Sequence, residues 1–290
     1  MTERMTTPLL QRLALFDALE CGNPYWSQQI GEFGIETVYE HLFLGVYSAE
    51  KFGKIIKKVR SFNADKAFTE IDQSHSTFIT PDDSRWPTMV NQLHNPPIGL
   101  LVKGHVDILN NQSFSIVGTR NPTPYGVRIA GDFAAGFVDR EWDIVSGGAY
   151  GIDTAAHRGA LVAEGRTIAV IASGIDVHYP SGNTRLFDEI CENGAIVSEV
   201  MPGVPALPHR FLTRNRLIAA LSQATLVVEA AFRSGSLRTA RDAAELMRPV
   251  MAIPGPINSP SSEGCHRLIG ERAAELVTSV ADAVELISAL

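Results

Sequence analysis

The segment Thr213-Arg214-Asn215-Arg216 sets two arginines around an asparagine, immediately before the apolar run Leu217-Ile218-Ala219-Ala220. This order predicts that the arginines stand at the start of a helix. Free backbone N–H groups at a helix start and guanidinium groups attract the same kind of ligand, a phosphate or another anion. We therefore expect Arg214, Asn215 and Arg216 to bind phosphate, since these residue types suit binding better than bond breaking.

Other segments have the composition of anion-binding loops. Glycine lets backbone N–H groups approach an anion closely, and a neighbouring arginine adds a charge-assisted hydrogen bond. The candidates are Gly118, Thr119 and Arg120; Ser146, Gly147 and Gly148; Arg185, after the turn at Tyr179-Pro180; and Ser234, Gly235 and Ser236. The structural alternatives are a surface arginine after a turn, tight packing of a strand on a helix, and serine capping of a helix. Several such loops in one chain favour a polyanionic ligand.

Three further side chains are open to more than one interpretation. Tyr179 and Phe211 would either stack on a nucleobase or lie in the core, as aromatic residues more often do. Glu229 ends an apolar strand and is the only acid well placed for catalysis. A role in orienting Arg214, Arg216 or a backbone turn is favoured for this carboxylate.

The sequence lacks the patterns of catalysis, namely a nucleophile–base pair, zinc-ligand spacing, a P-loop lysine or a serine elbow. Asp153 and His157 share a predicted helix face, but no third ligand is spaced to complete a metal site. The segment from Ser146 to Gly151 approaches the dinucleotide fingerprint, yet Ser146 replaces its first glycine. We therefore expect a binding protein with no catalytic residues, no metal and no cofactor.

Composition limits where nucleic acid would bind. The 290 residues contain 25 Lys and Arg against 32 Asp and Glu, a net charge of −7, so any DNA-binding surface must be local. The three cysteines are too few and too far apart for a disulfide framework or a metal knuckle. The segment from Met1 to Leu10 has no apolar signal core, and no apolar run is long enough to span a membrane. These features predict a cytoplasmic protein that does not enter a membrane.

The hydrophobic pattern divides the chain into three parts. Residues 1–72 have helical periodicity and predict a small all-helical domain, whose lysines at 51, 54, 57 and 58 are either a solvated face or a phosphate contact. Residues 73–110 predict a proline-stiffened connector with an entry strand. Residues 111–290 alternate apolar strands with amphipathic helices, which predicts an α/β domain with a doubly wound, mostly parallel sheet. The candidate loops then meet at the carboxyl ends of the strands.

Several of these motifs together resemble the DprA/Smf family of DNA-processing proteins, over roughly residues 81–277. The motifs are Asp83-Ser84-Arg85-Trp86-Pro87, Ile116-Val117-Gly118-Thr119-Arg120, Ser146-Gly147-Gly148, Gly151-Ile152-Asp153, Tyr179-Pro180, Thr213-Arg214-Asn215-Arg216, Ser234-Gly235-Ser236-Leu237, Ile253-Pro254-Gly255 and Gly264-Cys265-His266-Arg267. The resemblance implies an extended Rossmann-like domain that binds single-stranded DNA, preceded by a helical domain of sterile-alpha-motif type. It also implies a homodimer that protects single strands during natural transformation and recombination and delivers them to the RecA recombinase.

By position, Gly118, Thr119 and Arg120 match the family's phosphate-binding loop, and Arg185 matches a basic residue that contacts DNA. The sequence also departs from the family pattern. Met247-Arg248 stands where a Gly-Arg pair is common, and Ala273 stands where a glycine often precedes the last strand. The winged-helix module that many members carry after the Rossmann-like domain is not expected, since the sequence stops at Leu290.

Two other functions are weighed against DNA binding. A nucleotide-binding hydrolase of the lysine-decarboxylase-like Rossmann group would cleave N-glycosidic bonds, with Glu229 as its acid and Ser234-Gly235-Ser236 as its phosphate grip. The Pro-Gly-Gly-x-Gly-Thr tract of that group is missing from the sequence, which disfavours it. The remaining alternative is an interaction scaffold whose anion-binding loops are unused.

Overall fold

Four helices open the chain in the computed structural model, which describes residues 7–289. They are α1 (Pro8–Ala18), α2 (Pro24–Leu44), α3 (Ala49–Arg60) and α4 (Ala64–Gln73). An asparagine, serine or threonine caps each first turn by accepting a backbone hydrogen bond, and α2 bends at Gly34, where φ is +80°. Trp26, Leu42 and Ile56 lie in the shared apolar core of α1, α2 and α3. The helical unit predicted at the N-terminus is confirmed.

Within residues 7–289, nine strands form one sheet, which follows this helical unit. Their bounds are β1 (Thr77–Ile79), β2 (Leu100–Gly104), β3 (Ser113–Val117), β4 (Asp143–Ser146), β5 (Thr167–Val170), β6 (Ala195–Ser198), β7 (Ala224–Val227), β8 (Val250–Ala252) and β9 (Glu275–Leu276). The spatial order is β1-β2-β6-β5-β4-β3-β7-β8-β9. The β1–β2 and β2–β6 pairs are antiparallel and all the others are parallel, so the predicted mostly parallel sheet is confirmed.

Helices cover both faces of the sheet, as a doubly wound fold requires. They are α5 (Pro124–Val138), α6 (Ile152–Val162), α7 (Thr184–Asn193), α8 (Pro208–Ala220), α9 (Ser236–Glu245), α10 (Glu263–Gly270) and α11 (Val280–Ser288). On one face Phe114 and Ile116 of β3 pack against α5, α6 and α11. On the other face Val117 and Val227 pack against α8, α9 and α10. The predicted α/β fold class is confirmed.

The helical unit and the sheet share an apolar contact. Leu13 and Phe16 of α1, with Ile71 of α4, pack against Leu101 of β2 and Met201. The boundaries predicted between the three parts of the chain stay a prediction. Residues 1–6 of the first predicted part, which include most of the segment examined for a signal, and residue 290 of the last lie outside the described residues.

The sheet has a topological switch point between β3 and β7. From β3 the chain crosses to β4 on one side, while β7 pairs with β3 on the other. Loops that leave the carboxyl ends of these strands therefore diverge and open a crevice, where α/β proteins bind their ligands. Within residues 7–289, no helix combines the length and apolar character of a membrane span.

Candidate nucleic-acid interface

A cleft of about 550 Å³ lies at this switch point. Its walls come from the loops after β3, β4, β5 and β7 and from one side of α8 and α9. The lining residues are Val117, Gly118, Arg120, Ala149, Asp153, Tyr179, Pro208, Phe211, Leu212, Arg214, Asn215, Ile218, Ser234, Gly235, Ser236 and Thr239. The structure thus brings together residues from most of the candidate segments. The sequence interpretation missed Leu212 and Thr239, although Thr239 stands one helical turn after Ser236.

The loop after β3 is held against the end of β7. The backbone N–H of Thr119 donates a 2.6 Å hydrogen bond to the carbonyl oxygen of Glu229. A Cβ added at Gly118 would come within 2.8 Å of that same oxygen and 2.6 Å of Ile152 Cγ1, so only glycine fits there. This anchoring leaves the side chain of Arg120 exposed at the mouth of the cleft.

Two aromatic rings stand beside Arg120. Its guanidinium carbon lies 5.0 Å from the ring centroid of Phe211, which is a cation–π distance. The rings of Tyr179 and Phe211 are 5.3 Å apart and tilted by 57°. Tyr179 is 48% exposed and Phe211 is half-buried, so neither ring belongs to the core. One exposed cation and two partly exposed aromatic rings therefore share the entrance of the cleft.

Arg214 lines the interior of the cleft. It is buried, and its Nη1 donates a 2.9 Å hydrogen bond to the carbonyl oxygen of Val170. Burial lowers the pKa of Arg214 to about 10, opposed by the nearby carboxylate of Asp153. Burial likewise raises the pKa of Asp153, opposed first by Arg214. Each buried group offsets part of the other's desolvation, and the pair gives the cleft interior a fixed polar surface.

The prediction that the Arg214-Asn215-Arg216 tract opens a helix is wrong. Helix α8 begins at Pro208, so the tract lies in its middle, where backbone N–H groups are used within the helix. Asn215 Nδ2 donates a 3.1 Å hydrogen bond to the carbonyl oxygen of Gly235 and so holds the turn before α9. The tract contributes side chains to the cleft, and no helix N-terminus.

Arg216 is not in the cleft. Its Nη2 lies 2.7 Å from both carboxylate oxygens of Glu199, and both side chains are about nine-tenths buried. The guanidinium group packs against Gly22 of the helical unit. The structure therefore separates Arg216 from the other predicted phosphate ligands.

Glu229 does not orient either arginine. Its carboxylate accepts hydrogen bonds from the backbone N–H of Thr123, at 2.9 Å, and from the Thr123 hydroxyl, at 2.6 Å. These bonds fix the turn that leads into α5, so the alternative role in holding a backbone turn is confirmed. Thr123 is 106 residues away in the chain, which is why the sequence did not identify it.

The Ser146-Gly147-Gly148 segment is buried beneath the cleft. The Ser146 hydroxyl donates to the carbonyl oxygen of Ile116 at 2.6 Å, and Gly148, with φ of +68°, lies against the ring of Phe187. Gly147 lies against both Arg214 and Asp153. These residues shape the cleft from below, and only the next residue, Ala149, lines it.

The last two candidate segments differ in their access to the cleft. Ser234, Gly235 and Ser236 line it at the start of α9, where the two serine hydroxyls are 2.8 Å apart and that of Ser234 accepts a 3.4 Å hydrogen bond from the backbone N–H of Ser236. Arg185 is exposed in the first turn of α7 and is not among the lining residues. Its predicted contact with DNA stays a prediction.

His157 takes no part in the cleft. Burial lowers its pKa to about 3, so the imidazole stays neutral, and its Nδ1 lies 2.7 Å from the hydroxyl of Thr167. Over residues 7–289 the structure contains no cluster of three or more His, Cys, Asp or Glu side chains suited to a metal ion.

The fold and cleft define a Rossmann-like protein with a crevice at its switch point that carries an exposed arginine. A family model described as DNA recombination-mediator protein A matches residues 77–288. The chain therefore belongs to this family, the DprA/Smf proteins, as the sequence motifs indicated.

Relatives of known name support this assignment. The DNA processing protein DprA of Streptococcus pneumoniae is 42% identical over 224 residues, which are 77% of this chain and 78% of that protein. Protein Smf of Escherichia coli is 40% identical over 250 residues, covering 86% and 66%. A DprA protein of Mycobacterium tuberculosis is 45% identical over 222 residues, covering 72% of this chain but 57% of that protein. The match thus spans little more than half of the mycobacterial relative.

Solved structures agree with the fold. The X-ray structure of Streptococcus pneumoniae DprA superimposes with a TM-score of 0.83 at 32% identity, covering 97% of this chain and 98% of that one. DNA processing protein A of Helicobacter pylori, described for its single-stranded DNA binding mode, gives a TM-score of 0.67 at 30% identity. That match covers 74% of this chain and 97% of the Helicobacter chain.

Proposed function

We propose that this chain binds single-stranded DNA in the switch-point cleft. The observation that carries the proposal is the position of the Arg120 guanidinium group 5.0 Å from the Phe211 ring at the mouth of the cleft. A cation beside accessible aromatic faces is the combination by which proteins hold single strands, since phosphates pair with the charge and bases stack on the rings. Double-stranded DNA keeps its bases inside the helix and cannot use the rings.

The cleft residues divide this binding between them. The Arg120 guanidinium group holds one phosphate, and the hydrogen bond from Thr119 to Glu229 fixes the loop that carries it. The hydroxyl groups of Ser234 and Ser236, which lie 2.8 Å apart at the start of α9, hold a second. Phe211 and Tyr179 stack on a base without discriminating its edges, so the affinity depends on salt more than on base sequence. Arg216, which pairs with Glu199, has no part in this site.

We propose binding without bond cleavage. Two buried groups support this view, because the carboxylate of Asp153 lies beside Arg214 and accepts from the backbone N–H of Ala149, and His157 is held neutral by burial. His157 is not among the residues that line the cleft, and Asp153 is only 7% exposed. The proposed ligand is thus captured and released unchanged, with no metal or cofactor.

The family description as a recombination mediator supports a further step, delivery of the bound strand to the RecA recombinase during DNA uptake and recombination. We propose that the chain acts in this step as a homodimer in the cytoplasm, where these partners meet. Sedimentation equilibrium reports the oligomeric state. The rate of RecA assembly on single-stranded DNA, measured with and without this protein, reports delivery and is expected to rise with it.

The test of DNA binding compares two arginine variants. Arg120→Ala removes the cation at the cleft mouth, and Arg140→Ala removes an exposed cation just before β4, at the opposite edge of the sheet. Fluorescence anisotropy with labelled single-stranded oligonucleotides should show a loss of about tenfold or more for Arg120→Ala, as for one charge-assisted hydrogen bond. Arg140→Ala should bind like the wild type, and matched duplexes should bind weakly to all three proteins.

Equal single-strand affinity for the wild type and Arg120→Ala would reject this cleft as the binding site. Incubation of the wild type with a panel of nucleoside monophosphates, followed by chromatography, tests the absence of catalysis. The release of free base would contradict the binding-only proposal and favour N-glycosidic hydrolysis.

A further inference from the structure

A stripe of lysines on α3 stands apart from the cleft. We name it the α3 stripe and define it as Lys51, Lys54 and Lys57, which are exposed on adjoining turns of one helix face. Such a stripe contrasts with the chain as a whole, which carries a net charge of −7. Among the described residues 7–289, none of the three lysines forms an ion pair within 4.0 Å.

Aromatic rings border the α3 stripe. The Lys51 ammonium nitrogen lies 5.1 Å from the ring centroids of both Tyr25 and Phe52, and those two rings stack at 5.1 Å with an interplanar angle of 21°. Tyr25 is 36% exposed, so one of its edges or faces is accessible from solvent. The stripe therefore combines cations with an accessible ring, the same combination found at the mouth of the cleft.

Two acids before α2 are already paired with cations, whereas Glu50, in the first turn of α3, is exposed beside the stripe. Asp17, at the end of α1, lies 2.9 Å from the ammonium group of Lys58. Glu20, in the loop between α1 and α2, accepts hydrogen bonds of 2.6 and 2.9 Å from Arg210 of α8. With those two acids paired, the three lysines of the stripe outnumber Glu50, the one acid in the sequence of α3.

The loop between α1 and α2 connects the stripe to the cleft. Gly22 in this loop packs on α8, and a Cβ added there would come within 2.6 Å of Thr213 Cγ2. Thr213 follows Leu212, which lines the cleft. Tyr25, three residues after Gly22, contacts Lys51 at the start of α3. The loop between α1 and α2 therefore contacts Thr213, the neighbour of the cleft residue Leu212, and leads to Tyr25 beside the α3 stripe.

We propose that the α3 stripe and Tyr25 form a second contact site for single-stranded DNA, continuous with the cleft across the exposed first half of α8. This inference rests on the proposed binding of single strands in the cleft and extends the bound length. The phosphates of the emerging strand pair with Lys51, Lys54 and Lys57, while a base stacks on Tyr25. The helical unit then contributes affinity only for strands that are long enough to reach it.

The test compares strand lengths in one triple variant, Lys51→Ala/Lys54→Ala/Lys57→Ala. An oligonucleotide of about six nucleotides fills the cleft alone, and one of about 30 nucleotides extends beyond it. We expect unchanged affinity for the short strand and a loss of tenfold or more for the long strand. The slope of log K against log salt for the long strand should fall by about 0.7 for each lost phosphate contact.

Two controls accompany the triple variant. The matching Lys→Arg triple keeps the charges and should keep the long-strand affinity, and Lys66→Ala removes an exposed lysine on α4 that pairs with Glu70. Thermal melting by circular dichroism checks that each variant is folded. Wild-type affinity and salt slope for the long strand, or an equal loss with both lengths, would overturn the α3 site. The proposal for the cleft is tested separately. If the cleft does not bind DNA, Arg120→Ala will bind strands of both lengths with wild-type affinity.

Discussion

Arg214 and Arg216 stand two positions apart on α8 and enter opposite environments. Residues with this spacing are about 200° apart around a helix. Arg214 donates to Val170 at 2.9 Å inside the cleft, whereas Arg216 binds the Glu199 carboxylate at 2.7 Å beside the helical unit. Helix α8 thus joins the two parts of the molecule. Arg214 lines the cleft, and Arg216 lies at the contact with the helical unit.

This division predicts that loss of Arg216 lowers the stability of the fold but leaves DNA binding unchanged. Arg216→Met leaves the Glu199 carboxylate buried without its partner, which should lower the free energy of unfolding by about 3–5 kcal/mol. The single-strand affinity of the folded variant should stay within about twofold of the wild type, a change of less than 0.5 kcal/mol. Urea denaturation and fluorescence anisotropy measure the two quantities.

The matched control is Arg267→Met, which breaks the exposed Arg267–Glu271 pair and should cost less than about 1 kcal/mol. A large loss of single-strand affinity in stably folded Arg216→Met would show that Arg216 contributes to DNA binding, contrary to this prediction.

Phe211 provides a test of base stacking. Phe211→Ala should weaken binding of single-stranded DNA by about 1–3 kcal/mol, because a base loses its aromatic partner. The same variant should bind an abasic strand like the wild type does, since the phosphates and the nearby charge of Arg120 remain. Anisotropy titrations with normal and abasic strands of one length give the comparison.

Leu212→Ala is the control for stacking, because Leu212 lines the same cleft beside Phe211 but has no aromatic face. Its effect should be small and equal on the two strands. If Phe211→Ala weakened the abasic strand as much as the normal one, the ring would be acting through the shape of the cleft and not by stacking.

The strand positions and the order of loops at the carboxyl edge were predictable, because apolar runs such as Phe114–Val117 report burial directly. The start of α8 at Pro208 was not predictable in the same way. The residue before it, Leu207, makes no side-chain cap, so the only local signal was Pro208. The partners of Arg216 and Glu229 depend on tertiary contacts that periodicity does not contain. Gly147 and Gly148 pack against Arg214 and Phe187, whereas composition alone left open whether such glycines pack or bind phosphate.

The departure from the family pattern at Met247 also has a physical result. Met247 adopts a φ of +56° just after α9 and is 93% exposed. The N–H groups of Met247 and Arg248 donate to the carbonyl oxygens of Ala244 and Ala243, which is a Schellman arrangement. The turn therefore keeps the geometry that a glycine favours, and the backbone is strained because Met247 has a side chain.

Met247→Gly should consequently stabilise the protein, by about 0.5–1 kcal/mol after the added entropy of the unfolded chain is subtracted. Met247→Ala truncates the same exposed side chain but keeps the strained backbone, so it should leave the unfolding free energy nearly unchanged. Urea denaturation of both variants distinguishes relief of strain from loss of the side chain. Equal stabilities for the two variants would show that the turn is not strained.

Glu20 gives the link between the helical unit and α8 a dependence on pH. Hydrogen bonds from Arg210 lower the pKa of Glu20 from its ordinary value of 4.5, so this carboxylate stabilises the fold above pH 4.5 and loses that effect as the pH falls through its lowered pKa. The pair is partly exposed, so Glu20→Gln should cost only about 0.5 kcal/mol at pH 7. That cost should shrink steadily below pH 4.5. Urea denaturation at several pH values checks this, and in an Arg210→Met background the difference should be small at every pH. A cost that did not change with pH would assign the effect of Glu20→Gln to packing.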